Sequence, residues 1–407
     1  MTIVAEEREV LRPPQPGAIK WLRRNLFSNW WNTLLTVFSG AVVVLTLRGL
    51  LTWVLIKADW TPVTANLRLY AVGTYPAEQV WRVWIIIYMV SLLMGFSAGK
   101  WHGTVLVFAA AMSAAFILLA LLPISLEYLG VASRLTLAGN TLAVLFGFML
   151  GSLLERRFRF KGLWVILAWL ASFGLTILLL GGRRGSSILP PVESGQWGGL
   201  TLTFLLAIVG IVASFPIGVL LALGRQSKLP VVKAMCIVFI ETVRGVPLVT
   251  ILFMTSILLP LFLPENVRID RVLRAMLGMT LFAAAYMAEN VRGGLQSIPR
   301  GQFEAARALG LNNFQTTLLI VLPQALRVVI PAIVGQFIAL FMDTTLAIII
   351  GLLELLAVGS AILNSNPAWL LLDMEVYAFI ALVFWVFTFS MAYASRKVEA
   401  AVGLGTR

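Results

Sequence analysis

The chain has 407 residues, of which 60% are hydrophobic and 12% charged, and its mean hydropathy is +0.93. A soluble chain carries roughly 45–50% apolar and about 25% charged residues, so too few polar groups exist here to cover a water-facing surface, and the chain reads as a polytopic membrane protein. One cysteine (Cys236) and one histidine (His102) exclude a disulfide framework and leave almost nothing for a zinc, haem or iron–sulfur site. In a membrane chain, the net charge of +13 points to loops rich in Lys and Arg on the cytoplasmic side rather than to nucleic acid.

In chain order, the first 30 residues are charged and Pro-containing, so no cleavable signal peptide is expected. Residues 18–31 mix Trp21, Trp30 and Trp31 with Lys20, Arg23 and Arg24, which suits an interfacial segment anchored among lipid headgroups. Ten stretches are long and apolar enough to cross a membrane as helices: 32–56, 81–98, 105–123, 135–154, 163–181, 200–223, 235–262, 274–291, 329–350 and 376–395. None shows the period-two alternation of a barrel strand, so the fold class is all-α. The 235–262 run contains Pro247 and Pro260, and the apolar piece 351–363 is expected to dip into the membrane without crossing. Loops on the side of both termini hold 20 Lys and Arg against nine on the other, which places both termini in the cytoplasm.

Smaller motifs read as structure. Gly95-Phe-Ser-Ala-Gly99-Lys100-Trp101 lacks both the glycine spacing and the hydroxyl of a phosphate-binding loop, and reads as a helix end. Gly147 and Gly151 are spaced for helix packing. His102 reads as a solvated loop residue. The Gly-, Ser- and Pro-dense stretch 182–199 reads as an external linker between two sets of five spans, and no internal repeat relates the two sets.

The segment 292–328 is the longest loop on the terminus side. Pro299 suits an early helical position, 303–309 a short helix, Gly310 a left-handed C-cap, and Asn312 or Asn313 the cap of a second helix running to Pro323. The result is a compact helix–turn–helix whose alanines let another protein surface approach closely. Within it, Glu304-Ala305-Ala306, Gly310, Ile320 and Leu322-Pro323 reproduce without gaps an EAA-x3-G-x9-I-x-LP pattern. On these residues the chain resembles the permease subunits of ABC importers. Further stretches (GGLTLTF at 198–204, ETVRGVP at 241–247, AAYMAENVRGGLQSIPRGQ at 284–302 and MDTTLA at 342–347) make it similar to the polar amino acid subfamily, in a long form with an N-terminal membrane extension.

The resemblance implies a type I permease core of about five helices at 200–395. Before it stand a cytoplasmic tail at 1–31, an accessory extension of about five helices at 32–181 and the linker 182–199; after it comes a tail at 396–407. It implies an ATPase-coupling role for Glu304, Ala305, Ala306, Gly310, Leu322 and Pro323. The implied partners are a second permease, two cytoplasmic ATP-binding subunits, an external solute-binding protein and membrane lipid, with an amino acid as cargo. The chain itself would be no enzyme and hold no cofactor, ATP and Mg belonging to the partner ATPase in a bacterial inner membrane. A stand-alone secondary transporter or channel is the alternative.

Charges at membrane depth are costly and usually face a bundle interior or an aqueous path. Six stand out: Arg48, Glu241, Arg244, Glu289, Asp343 and Glu354. Arg48 suits snorkelling or local pairing. Glu241 and Arg244 lie i, i+3, which allows an internal salt bridge, while a helix break near Pro247 would instead offer backbone groups to a substrate. Glu289 is spaced to pair with Arg292. Asp343 has no cation within a turn and is followed by Thr344 and Thr345, so it calls for a cationic ligand, a charge on a neighbouring helix, or hydrogen bonds within the bundle. The substrate-binding candidates are therefore Arg244, Glu289, Asn290, Asp343, Thr344 and Thr345. In the functional reading, Asp343 receives the α-ammonium of an amino acid while Arg244 or the broken-helix amides hold its carboxylate. In the resembled subfamily lysine commonly precedes the aspartate, where this chain has Met342.

Overall fold

The computed structural model describes residues 17–121, 130–158, 161–183, 185–264, 267–401 and 403. Parts of the two terminal tails, the end of the 105–123 stretch and two residues of the 156–161 loop thus lie outside the described residues. Among the described residues, nine helices are long and apolar enough to cross a membrane, and one bent pair raises the number to ten.

The chain divides into two compact units, Met1–Asp59 and Trp60–Arg407. In the first, α1 (Ala18–Asn25) ends on Arg23 and Arg24. Asn29 then caps α2 (Trp30–Thr52), its side chain accepting from the Asn32 amide at 2.8 Å, and a π turn extends the span to Lys57. The rings of Trp30 and Trp31 stack at 4.0 Å, in keeping with a headgroup anchor. Arg48 is exposed on this helix.

The second unit begins with short helices at Thr61–Thr64 and Leu67–Val72, followed by α3 (Trp81–Trp101), α4 (Gly103–Leu121), α5 (Val131–Phe158) and α6 (Gly162–Gly181). Helices in lipid gain nothing from apolar burial against each other, so contact rests on close packing and interhelical hydrogen bonds. Both devices are present between α3 and α5. Gly95 and Gly99 face Gly147 and Gly151 so closely that a Cβ at Gly95 would overlap the Val144 carbonyl, and one at Gly147 the Leu92 carbonyl. The Ser91 hydroxyl donates to Asn140 Oδ1 at 3.0 Å and the Tyr88 hydroxyl to the Thr136 carbonyl at 3.1 Å, while Lys100 pairs with Glu155. The glycine stretch around Gly95 is therefore a helix-packing seam.

The end of the unit bearing the 182–198 linker (the linker side) is fastened by buried polar groups. Arg82, fully buried, donates to the carbonyls of Leu179 at 3.3 Å and Pro190 at 2.9 Å, and the Tyr75 hydroxyl donates to Leu180 O at 2.9 Å. The Thr201 hydroxyl reaches back to the Ala71 carbonyl at 2.9 Å, and Gly73, at φ +63°, lies against the backbone of Gly198. One apolar core accordingly joins Val72, Tyr75 and Val83 with Trp197, Leu202, Leu252 and Met279.

After the linker, α7 (Gly199–Arg225) runs to the opposite end, which bears the 298–321 loop (the loop side). The expected single span at 235–262 is instead two helices, α8 (Pro230–Arg244) and α9 (Leu248–Phe253, continued by irregular turns to Phe262), meeting at 109°. Pro247 has no amide proton to give and favours extended backbone before it, so the helix ends at Arg244. Next come α10 (Arg271–Ser297), α11 (Arg300–Ala308), α12 (Leu322–Asp343), α13 (Leu355–Ser365) and α14 (Asp373–Ala401). With 11 residues, α13 rises only about 16 Å, too little to cross, as expected for 351–363. Glu354, fully buried, caps it by accepting from the amides of Leu356 at 2.9 Å and Ala357 at 2.8 Å. This intramembrane carboxylate is matched to a helix N-terminus rather than to a cation.

The α3–α5 seam gives a direct test. Gly147→Leu should lower the melting temperature of the detergent-solubilised protein by several degrees, overpacking costing about 1–3 kcal/mol. Gly174→Leu, where a side chain meets open space, should leave it unchanged; fluorescence-detected size exclusion after heating checks both.

Candidate functional site

The loop between α10 and α12 folds as a rigid hairpin. Pro299 is the N-cap residue of α11, one position earlier than the sequence suggests, and Gly310 ends the turn at φ +77°. Asn312 opens the next segment with a capping box: its side chain accepts from the Gln315 amide at 2.9 Å, and Gln315 Oε1 accepts from the Asn312 amide at 3.0 Å. The helix expected to stop at Pro323 does not stop. A π segment at Thr316–Val321 carries it into α12, the wider turn making room for a proline ring that would clash with the preceding α-helical turn.

Phe303 of α11 turns inward onto a cluster that includes Ile240, Val291, Leu295 and Val321, and Ala306 is buried. Glu304, Ala305 and Arg307 face outward, as do Leu309 (79% exposed) and Phe314 (73%). The segment Asn313–Ile350 is 38 residues long, about 57 Å of helix against a hydrocarbon core of about 30 Å, so its first turns project beyond the membrane. Of the coupling candidates, Glu304, Ala305, Gly310 and Pro323 are exposed, Leu322 is half-buried and Ala306 is buried.

Just inside this loop, five charges from three helices converge. Arg225 at the end of α7 donates to Glu241 of α8 at 2.9 Å and to Glu289 of α10 at 3.3 Å. Glu289 also lies 3.6 Å from Arg244, the last residue of α8, and accepts from Arg292 Nε at 2.7 Å. The expected Glu289–Arg292 pair is present. The i, i+3 pair of Glu241 with Arg244 is not: each reaches across to another helix, because α8 lies against α7 and α10 at this point. The Arg244 guanidinium sits 5.5 Å over the Tyr286 ring, and its Nε is buried without a hydrogen-bond partner among the described residues. Asn290, half-buried beside Glu289, has no side-chain partner among the described residues.

Asp343 lies elsewhere. Gly294 packs on the Ala325 backbone where the antiparallel α10 and α12 meet, so Asp343 stands about 20 Å toward the linker side of Glu289 by helical rise. Its half-buried carboxylate has no hydrogen bond or ion pair among the described residues. The hydroxyls of Thr344 and Thr345 donate to their own helix, at Phe341 O (2.7 Å) and Met342 O (2.9 Å). No small zwitterion could touch Asp343 and Arg244 at once, so the structure separates two residues that the sequence reading placed around one ligand. Arg225 escaped that reading. It looks like an ordinary cation at a helix end, and its partner Glu289 is 64 positions away.

An apolar cleft of about 400 Å³ between α7 and α12, lined by Phe215, Leu326, Arg327, Ile330 and Ile333, brings none of the candidate substrate residues together. Among the described residues, no group of three or more His, Cys, Asp or Glu is placed to hold a metal ion.

Comparison with known proteins agrees with this geometry. Residues 214–403 match the family described as binding-protein-dependent transport system inner membrane component. The chain is 36% identical to the inner membrane amino-acid ABC transporter permease protein YhdY of Escherichia coli (strain K12), over 97% of both chains. It is 37% identical to the glutamate/glutamine/aspartate/asparagine transport system permease protein BztC of Rhodobacter capsulatus, over 95% of this chain and 94% of that one. The probable glutamine ABC transporter permease protein GlnP of Bacillus subtilis (strain 168) matches at 36% over 50% of this chain and 91% of its own length, so a permease of this kind exists at half the size. With charges gathered where a helix breaks, a capped hairpin at the loop side and full-length likeness to such proteins, the chain belongs to the amino-acid ABC transporter permeases of the binding-protein-dependent inner membrane component family.

Proposed function

We propose that this permease is one half of the translocation pathway of an ATP-driven amino acid importer, moved through the 299–323 loop by a separate ATPase. The observation that carries the reading is the hairpin itself: a capped, rigid element outside the membrane that leaves Leu309 and Phe314 uncovered beside Glu304 and Ala305. Apolar side chains held in water on a stiff support mark a docking surface. The chain has no G-x-x-x-x-G-K-[ST] loop, so the nucleotide chemistry, with its ATP and Mg, falls to the partner. The assembly comprises a second permease, two ATP-binding subunits and an external solute-binding protein. The loop side faces the cytoplasm with both termini, in accord with the excess of Lys and Arg there.

The cargo passes two stations. Asp343, unpaired toward the linker side with Thr344 and Thr345 beside it, meets the α-ammonium group first. Arg244, with Asn290 and its counter-ion Glu289 beside it, receives the carboxylate nearer the loop. The five-charge cluster holds three guanidinium groups against two carboxylates, a surplus suited to anionic or zwitterionic polar amino acids. The name of the Rhodobacter relative is in keeping with that class.

Two measurements test the reading in proteoliposomes holding the assembled transporter. Glu304→Lys should leave membrane insertion and ATP hydrolysis intact while lowering uptake at least about tenfold, a loss of about 1.4 kcal/mol in productive docking; wild-type uptake would refute the coupling role. Asp343→Asn should raise the KM for zwitterionic amino acids by about tenfold with assembly unchanged. Unaltered kinetics and substrate range would remove Asp343 from the pathway.

A further inference from the structure

The cluster beneath the α8–α9 break is unevenly paired. Arg225 has two carboxylates, Glu241 at 2.9 Å and Glu289 at 3.3 Å. Arg292 holds Glu289 Oε1 through Nε at 2.7 Å and also donates to Gln296 Oε1 at 2.8 Å. Arg244 has a single, long carboxylate contact of 3.6 Å, made to the Glu289 oxygen that Arg225 also uses, and it keeps a buried Nε with no partner. Of the three arginines, Arg244 holds its counter-ion most weakly, and Glu289 still has Arg225 and Arg292 when it leaves Arg244.

We infer that Glu289 is an exchangeable counter-ion for Arg244: the carboxylate of the amino acid cargo takes its place, and Glu289 falls back on Arg225 and Arg292. The exchange rests on the proposed role of Arg244 and adds to it a switch. Arg225, Arg244, Glu289 and Arg292 are only 21–31% exposed, so an unpaired charge among them is disfavoured and an ion pair is best traded for another. Cargo supplies the replacement for Arg244, while Glu289 keeps two guanidinium partners throughout. Before the exchange, Glu289 ties the end of α8 to α10; afterwards that tie is gone. Because α10 continues through Ile298 and Pro299 directly into α11, the helix that loses its hold on α8 is the one that positions the docking hairpin. Glu289 is thus a positioning residue that links occupancy of the pathway to the loop. Such linkage is reciprocal, and coupling of this kind is typically worth about 5–150-fold.

The test uses the assembled transporter in liposomes, reading cargo-independent ATP hydrolysis and the KM of glutamate and glutamine uptake. Glu289→Gln removes the tie, so cargo-independent hydrolysis should rise about tenfold. Arg292→Gln leaves Glu289 more fully committed to Arg244, so the KM should rise about fivefold with cargo-independent hydrolysis no higher than wild type. The switch is overturned if Glu289→Gln keeps the wild-type hydrolysis ratio, or if both variants shift coupling in the same direction. Should Glu289→Gln fail to assemble, an unchanged KM in Arg292→Gln overturns it alone. Loss of ATP-dependent uptake in the wild-type assembly would instead refute the importer reading itself.

Discussion

Within a bilayer no water is available to satisfy a polar group, and every charge or hydrogen-bonding atom at membrane depth must find its partner in the protein or in what the protein carries. The arrangement of this permease follows from that constraint. Arg82 finds two carbonyls at the end of α6 and in the linker. Glu354 finds the open amides of α13, and Lys100 finds Glu155. The cluster around Glu289 is bound by the same requirement but met with a surplus of cation, and Asp343 does not meet it within the described residues.

The extension and the permease segment share one physical logic with different results. Along α3 and α5, glycines and short hydrogen bonds bring two helices into backbone contact and leave no room between them. In the C-terminal segment the helical path is instead broken at Gly245–Pro247, where charged side chains gather, and widened to a π segment before Pro323. The first design gives a stiff seam. On the linker side, the Thr201–Ala71 bond and the apolar core shared by Val72, Leu202 and Met279 join residues 60–181 to the permease segment within one unit.

Much of this could be read from residue order. Hydropathy by itself placed the helices, because about 20 apolar residues cross a membrane as a helix and as nothing else. The spacing of Glu304, Gly310 and Pro323 marked the hairpin, because capping and proline geometry are local, and the Glu289–Arg292 pair sits one helical turn apart on one helix. Tertiary structure alone decided which distant charges meet. Arg225 joins Glu289 across 64 positions, Glu241 leaves its near neighbour Arg244 for another helix, and about 20 Å of helical rise holds Asp343 away from the cation it seemed to complement. The reason is geometric: periodicity along one chain fixes the face on which a side chain stands, whereas the neighbour it meets depends on the crossing angles and depths of helices, which no single segment encodes.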